Sequence, residues 1–202
     1  DNHVSRSVYV AFKLTQLSAA ATAKIGDYGD DLGLSIWTTT PWTLVSNQFT
    51  RGAPALKYAV VEGFQTVQPQ APKYIIVAAE AVERLSKLFD TELVVKATLT
   101  GQELAGSTYQ HPLFDQQSPV VASGEDITAD SGTGLVHSAP AHGPEDFFAA
   151  HEHGIKPVVL VDEAGRYTAG TGQFEGLKVL TAGTDAVIAA ITEKGDPKSV
   201  VK

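Results

Sequence analysis

The chain has 202 residues, 43% of them apolar, and a formal net charge of −8. That is ordinary globular usage with enough chain for one hydrophobic core, and no stretch approaches the roughly 20 apolar residues a membrane-spanning helix needs. The absence of cysteine excludes disulfides, thiol catalysis and cysteine-ligated zinc, and the scattered lysines and arginines disfavour an autonomous nucleic-acid binder while leaving open a domain that receives only the end of a nucleic acid gripped elsewhere. The chain opens Asp1-Asn2-His3 without a cationic or apolar leader and contains no methionine, so no signal peptide is expected and the sequence reads as a piece excised from a larger protein.

Ser7–Leu14 alternates, with Val8, Val10, Phe12 and Leu14 on one face, as in a half-buried strand. Leu34–Thr39 reads as a second strand running from apolar to hydroxyl residues and stopped by Pro41. Lys57–Glu62 and Tyr74–Ala78 are two further strands, joined by a Pro/Gln-rich link, Gln65–Pro72, suited to an exposed connection. Ala79–Phe89 has helical spacing, and Leu93–Leu99 returns to strand residues. Gly101–Asp130 is rich in Gly, Pro and Ser and reads as irregular. Gly134–Ser138 is a short buried strand, and Pro144 starts a helix reaching His153, with Gly154 as its stop. Val158–Val161 is a strand followed by the turn Asp162–Gly165. The last helix runs from about Thr184 to Lys194 and ends at Gly195 and Pro197. Seven or eight strands and three helices without strict alternation predict an α+β fold, a coiled, barrel-like sheet with a few helices outside it.

Two segments stand apart from ordinary core or loop. Trp37-Thr38-Thr39-Thr40-Pro41-Trp42-Thr43 packs four hydroxyls between the chain's two tryptophans. A β-rich edge explains threonines in general, but Thr38 and Thr40 share one strand face, and hydroxyls with freed amides at a strand end can meet a ribose or an adenine edge. The second segment, Gly132–Asp146, joins a Gly-Thr-Gly turn to His137, His142 and an acidic helix start. Glu145 and Asp146 in a first helical turn stabilise the helix dipole by about 0.3–1 kcal/mol. The same position keeps a carboxylate ionised and able to bind an ammonium group. Five of the six histidines fall late, at 111, 137, 142, 151 and 153, yet their spacing matches no zinc signature. A serine elbow and a phosphate loop are also missing, so neither a metal nor a protein nucleophile is assigned.

Together with Asn47, these two segments closely resemble the editing domain inserted into isoleucyl-tRNA synthetase, a class I enzyme, in its bacterial or mitochondrial version. The sibling valyl and leucyl enzymes typically read Thr-Thr-Arg-Pro-acid-Thr in the first motif, where this chain has Thr40 and Trp42 at the Arg and acid positions. Val45 stands where such domains usually carry proline. The resemblance runs from Ser5 to the final helix, so residues 1–202 are expected to form a single editing domain of the valyl/isoleucyl/leucyl type.

The resemblance implies hydrolytic proofreading of Val-tRNA-Ile. Asp146 would hold the α-ammonium of the misattached amino acid. Thr38, Thr39 and Thr40 would line the terminal adenosine and help position water. His137 would border the side-chain pocket, exclude the extra carbon of isoleucine and contact the ribose. Asn47 would support the adenosine side, and Trp42 would pack beneath the threonine strand. No metal and no cofactor are implied for this domain; ATP and Mg belong to the synthetic domain of the parent enzyme. The implied partners are the valine-bearing 3′ end of tRNA-Ile and the rest of the synthetase in cis, with no membrane, a monomeric fragment, and a location in the bacterial cytoplasm or mitochondrial matrix. The alternative is a fragment that binds aminoacyl-adenosine ligands without hydrolysing tRNA by itself.

Overall fold

The computed structural model describes residues 6–195 and 198–201; Asp1–His3, Ser5 and Pro197, used above, lie outside the described residues. The strands are β1 (Arg6–Gln16), β2 (Leu32–Thr38), β3 (Phe49–Gly52), β4 (Lys57–Glu62), β5 (Tyr74–Ala78), β6 (Val94–Thr100), β7 (Thr108–Gln110), β8 (Gln117–Ala122), β9 (Leu135–Ser138) and β10 (Lys198–Val201). The helices are α1 (Ala19–Ile25), α2 (Val82–Leu88), α3 (Gly101–Leu104), α4 (Pro144–Glu152) and α5 (Thr184–Gly195). All ten strands belong to one mixed sheet, ordered β6-β4-β5-β2-β1-β7-β8-β3-β9, with β10 also pairing with β1. The β2–β5 and β3–β8 pairs are parallel and the others antiparallel.

The expected α+β architecture with a coiled, barrel-like sheet is present, and the sheet is not hydrogen-bonded into a closed ring. Both faces of β1 are covered, which is why Ser7 through Val10 are all buried. Phe12 stacks on Tyr109 at 5.0 Å, while Tyr9 meets Phe89, just past α2, edge-on at 5.1 Å. Alternate residues point to opposite faces, so the inner face of β1 fills the coil and the outer face receives α2. The segment entering β9 ties that end of the sheet to β2, β4 and β5. Ala78 N–H donates to Thr133 O (2.7 Å), Thr133 Oγ1 donates to Ser35 O (2.5 Å), and Tyr58 Oη donates to Gly134 O (2.6 Å). Such close approach requires Gly134: its φ is +81°, and a Cβ there would lie 2.6 Å from the Ala78 Cβ.

Several expectations are corrected. There are ten strands and five α-helices among the described residues, more than the sequence patterns predict. Gly101–Asp130 is not irregular. Thr100 caps α3 in a reciprocal box with Glu103, and β7 and β8 follow, their polar residues satisfied by the ladder. Strand β3 escapes the hydrophobic pattern because it buries Thr50 and Arg51, and α1, capped by Ser18, was unforeseen. The Gln65–Pro72 link is not simply exposed: Gln68 is fully buried and donates to Tyr9 O at 3.0 Å. Val158–Val161 forms no strand, only a bridge between Val161 and Tyr167, since Val158 N–H is instead taken by the Gln48 side chain. Thr39 lies beyond the end of β2.

Candidate active site

Pro41 has no N–H to extend a ladder, and it opens a 3-10 turn over Pro41–Ser46. The chain therefore turns sharply where the hydroxyls are densest. Thr40 N–H donates to Thr38 Oγ1 at 3.0 Å, and Thr43 Oγ1 donates to Thr40 O at 2.8 Å. Thr38 is buried, whereas Thr39 and Thr40 are exposed.

Behind this turn runs a buried polar chain whose proton positions follow from one carbonyl. Asn47 Nδ2 faces Phe49 O at 3.2 Å and His137 Nδ1 at 2.7 Å, while Tyr109 Oη donates to Asn47 Oδ1 at 2.6 Å. A carbonyl only accepts, so the amide nitrogen must be the group beside it. That nitrogen then donates to His137 Nδ1, which leaves the ring proton on Nε2. Nε2–H donates to Thr43 Oγ1 at 2.8 Å, and Thr43 passes its own proton to Thr40 O. Every member of the series gives or accepts in one consistent direction. Burial, helped by the neighbouring His111 and His142, pulls the His137 pKa down from 6.5 to about 3, so at neutral pH the ring is uncharged.

Asp146 lies in the first turn of α4 and its carboxylate is held at both oxygens. Ala139 N–H donates to Oδ2 at 3.1 Å, and Arg51 Nε donates to Oδ1 at 3.2 Å. Arg51 projects from β3 and also grips Asp126 with both terminal nitrogens, Nη1 at 3.1 Å and Nη2 at 3.4 Å. The bond from Arg51 and its charge hold the Asp126 pKa below its usual value, against a smaller opposing effect of burial.

These groups converge on one cleft of about 360 Å³. Thr38, Thr39, Thr40, His137 and Asp146 all line it, so the two motifs, roughly a hundred residues apart, meet at one place. Asn47 and Trp42 do not line it. Asn47 stands behind His137, and Trp42 packs edge-on against the cleft residue His142 at 5.0 Å. Val45 is buried in the 3-10 turn, whose end is closed by Asn47 N–H donating to Leu44 O at 3.1 Å. Sequence reasoning missed Arg51 and Asp126 as cleft residues, and gave Trp37, Thr43 and His142, which lie within the two motifs, no role of their own. The one legible signal for Arg51 was a lone cation in an otherwise uncharged stretch. Among the described residues no group of three His, Asp or Glu side chains could hold a metal ion: His151 and His153 are exposed beside the end of α4, and His111 is buried outside the cleft lining.

No family model matches the chain. Over 195 residues it is 47% identical to the isoleucine–tRNA ligase of Nostoc punctiforme and 49% identical to that of a Cyanothece species, covering 96% of this chain and 20% of each relative. The chain thus spans about a fifth of the length of the curated relatives it matches. Among solved structures, the Plasmodium falciparum cytosolic leucyl-tRNA synthetase editing domain superposes with a TM-score of 0.69 at 9% identity, covering 96% of this chain and 98% of that one. GlLeuRS-CP1 superposes with a TM-score of 0.61 at 18% identity, covering 97% of this chain and 86% of that one. The chain has the fold of a synthetase editing domain and a sequence akin to a segment of isoleucine–tRNA ligases, as its two motifs imply.

Proposed function

We propose that residues 1–202 are a single editing domain acting in cis within an isoleucine–tRNA ligase, and that the cleft hydrolyses valine from Val-tRNA-Ile. The observation that carries this reading is the convergence of the threonine turn, a neutral His137 and the Asp146 carboxylate on one cleft. A synthetic site that must separate isoleucine from valine has only one methylene to work with, worth about 1–3 kcal/mol, a magnitude for which isoleucyl-tRNA synthetase is itself the standard instance. A second pocket that destroys the smaller product supplies the missing accuracy.

In this reading Asp146 anchors the α-ammonium, Thr38 to Thr40 seat the terminal adenosine and a water, and the His137 ring bounds the pocket for the amino-acid side chain. Asn47 acts on the adenosine side only through His137, by holding that ring in place, and Trp42 supports the cleft from beneath through His142. The water oxygen attacks the ester carbonyl, the acyl–oxygen bond breaks, and the ribose oxygen leaves with a proton. His137 is unsuited to deprotonate that water, because Nε2 already carries a proton and the Nδ1 lone pair is already engaged as acceptor of the Asn47 N–H hydrogen bond. Proton transfer then falls to the free ribose hydroxyl of the tRNA end, and rate comes from positioning. The bacterial relatives point to the cytoplasm of a bacterium.

The acidic chain, −8 overall, favours a second reading for the isolated piece: it binds aminoacyl-adenosine and depends on the rest of the ligase to grip tRNA phosphates. Deacylation of Val-tRNA-Ile by the chain alone and by the whole ligase separates the two. In whichever form is active, Asp146→Ala should lower deacylation about a hundredfold or more while circular dichroism stays unchanged. Full activity in that variant sinks the ammonium role.

A further inference from the structure

As an anchor for an ammonium group, Asp146 already has a competing cation. Its Oδ1 already faces a guanidinium, and a carboxylate paired one-to-one with Arg51 offers little net attraction to a second cation. The third member of the cluster resolves this. Asp126 takes both terminal nitrogens of Arg51, while Asp146 receives only Nε. The Arg51 side chain is 5% exposed, Asp146 18% and Asp126 50%. A buried guanidinium thus sits between two carboxylates, and the trio carries one net negative charge at the cleft wall.

We propose that Asp126 is a positioning and specificity residue for the ammonium-bearing ligand: it neutralises Arg51, so that Arg51 orients the Asp146 carboxylate without cancelling its charge. This rests on the proposed role of Asp146. The local backbone is shaped around the pair. Gly124 has φ +118°, and a Cβ there would lie 2.6 Å from both Arg51 Nη1 and Asp126 Oδ1, so any larger residue would push the two apart. The loop that follows is held independently, by Arg84 donating to the carbonyls of Ala129 (3.1 Å) and Gly132 (2.6 Å). Loss of the Asp126 charge therefore leaves those anchors of the loop in place. Without it, Arg51 and Asp146 become a neutral pair, and an arriving ammonium meets a guanidinium whose charge is opposed by only one carboxylate.

The test compares a non-hydrolysable valyl-adenosine mimic with its des-amino counterpart, both titrated calorimetrically into the 202-residue chain. Asp126→Asn should weaken the amino mimic about tenfold, the scale of one unit charge acting across a few ångströms of partly screened protein. Binding of the des-amino mimic should not change, and Asp126→Glu should restore the preference for the amino form. Equal weakening of both mimics means a structural loop role and overturns the proposal, as does no weakening of either. Asp146→Ala is measured alongside. If it abolishes the amino preference while Asp126→Asn spares it, the neutralising role alone is wrong. If Asp146→Ala spares the preference, the ammonium reading has failed and this inference falls with it.

Discussion

Replacing Thr43 by valine removes one buried hydroxyl and almost no volume, so it isolates the polar chain behind the cleft. In the native protein that hydroxyl accepts from His137 Nε2 at 2.8 Å and donates to Thr40 O at 2.8 Å. Thr40 is exposed, and water can replace the second bond at little cost. The first bond cannot be replaced in this way, because His137 is almost wholly buried, 8% exposed. The ring cannot escape by moving its proton to Nδ1, since that nitrogen would then confront the Asn47 amide donor. The variant keeps a buried N–H without an acceptor, at about 1–3 kcal/mol. With a urea m-value of about 3 kcal/mol/M, the upper end expected for a chain of this size, a loss of about 2 kcal/mol lowers the unfolding midpoint by roughly 0.7 M. Thr43→Ser retains the hydroxyl and should lie much closer to the native midpoint. Nitrogen-15 spectra of the imidazole provide the independent check: the native ring should show a protonated Nε2 and an unprotonated Nδ1 at neutral pH. A Thr43→Val midpoint within error of the native one, or a ring protonated at Nδ1, refutes the assigned direction of the chain.

Two further outcomes follow from the same geometry. The folded His137 resists protonation until about pH 3, whereas the unfolded ring takes a proton below about 6.5. The unfolded state therefore binds more protons between those values, so stability is full above pH 6.5 and falls with acidity by about 1.4 kcal/mol per pH unit from this group. Asp126, with its lowered pKa, pushes in the same direction at the acid end. Urea midpoints measured from neutral to acid pH should show this slope, and His137→Gln should flatten it; equal slopes refute the assignment. Gly134→Ala combines a positive φ with a Cβ contact of 2.6 Å and should cost at least about 2 kcal/mol, or roughly 4–8 °C in Tm. An unchanged Tm would mean that the segment entering β9 is not held as tightly as its hydrogen bonds imply.

Local pattern was a good guide wherever apolar residues do the work. The strands Lys57–Glu62 and Tyr74–Ala78 have the boundaries their sequence implies, because continuous apolar runs between turn residues have few other solutions. The helix from Pro144 was equally legible from its proline, its acidic first turn and the glycine after it. Pattern failed where polar residues are buried. Thr50 and Arg51 fall in a stretch to which no element was assigned, yet they lie in β3, and Arg51 reaches the cleft because the carboxylates that satisfy it come from distant parts of the chain. Val158–Val161 failed in the opposite sense: it has strand residues but only one bridge to pair with.

The sequence by itself determined the apolar strands and the α4 and α5 helices, the α+β class, and the two motifs whose wording matches a synthetase editing domain. Those are properties of short windows, set by spacing, caps and turn residues. Only the tertiary structure decided that Thr43 would hold the proton side of a histidine 94 residues away, and that Arg51 would be shared between carboxylates 75 and 95 residues away. The physical reason is that a buried hydrogen bond or charge has its energy fixed by whatever faces it. Which residue faces which is set by how the sheet coils, and no local window contains that.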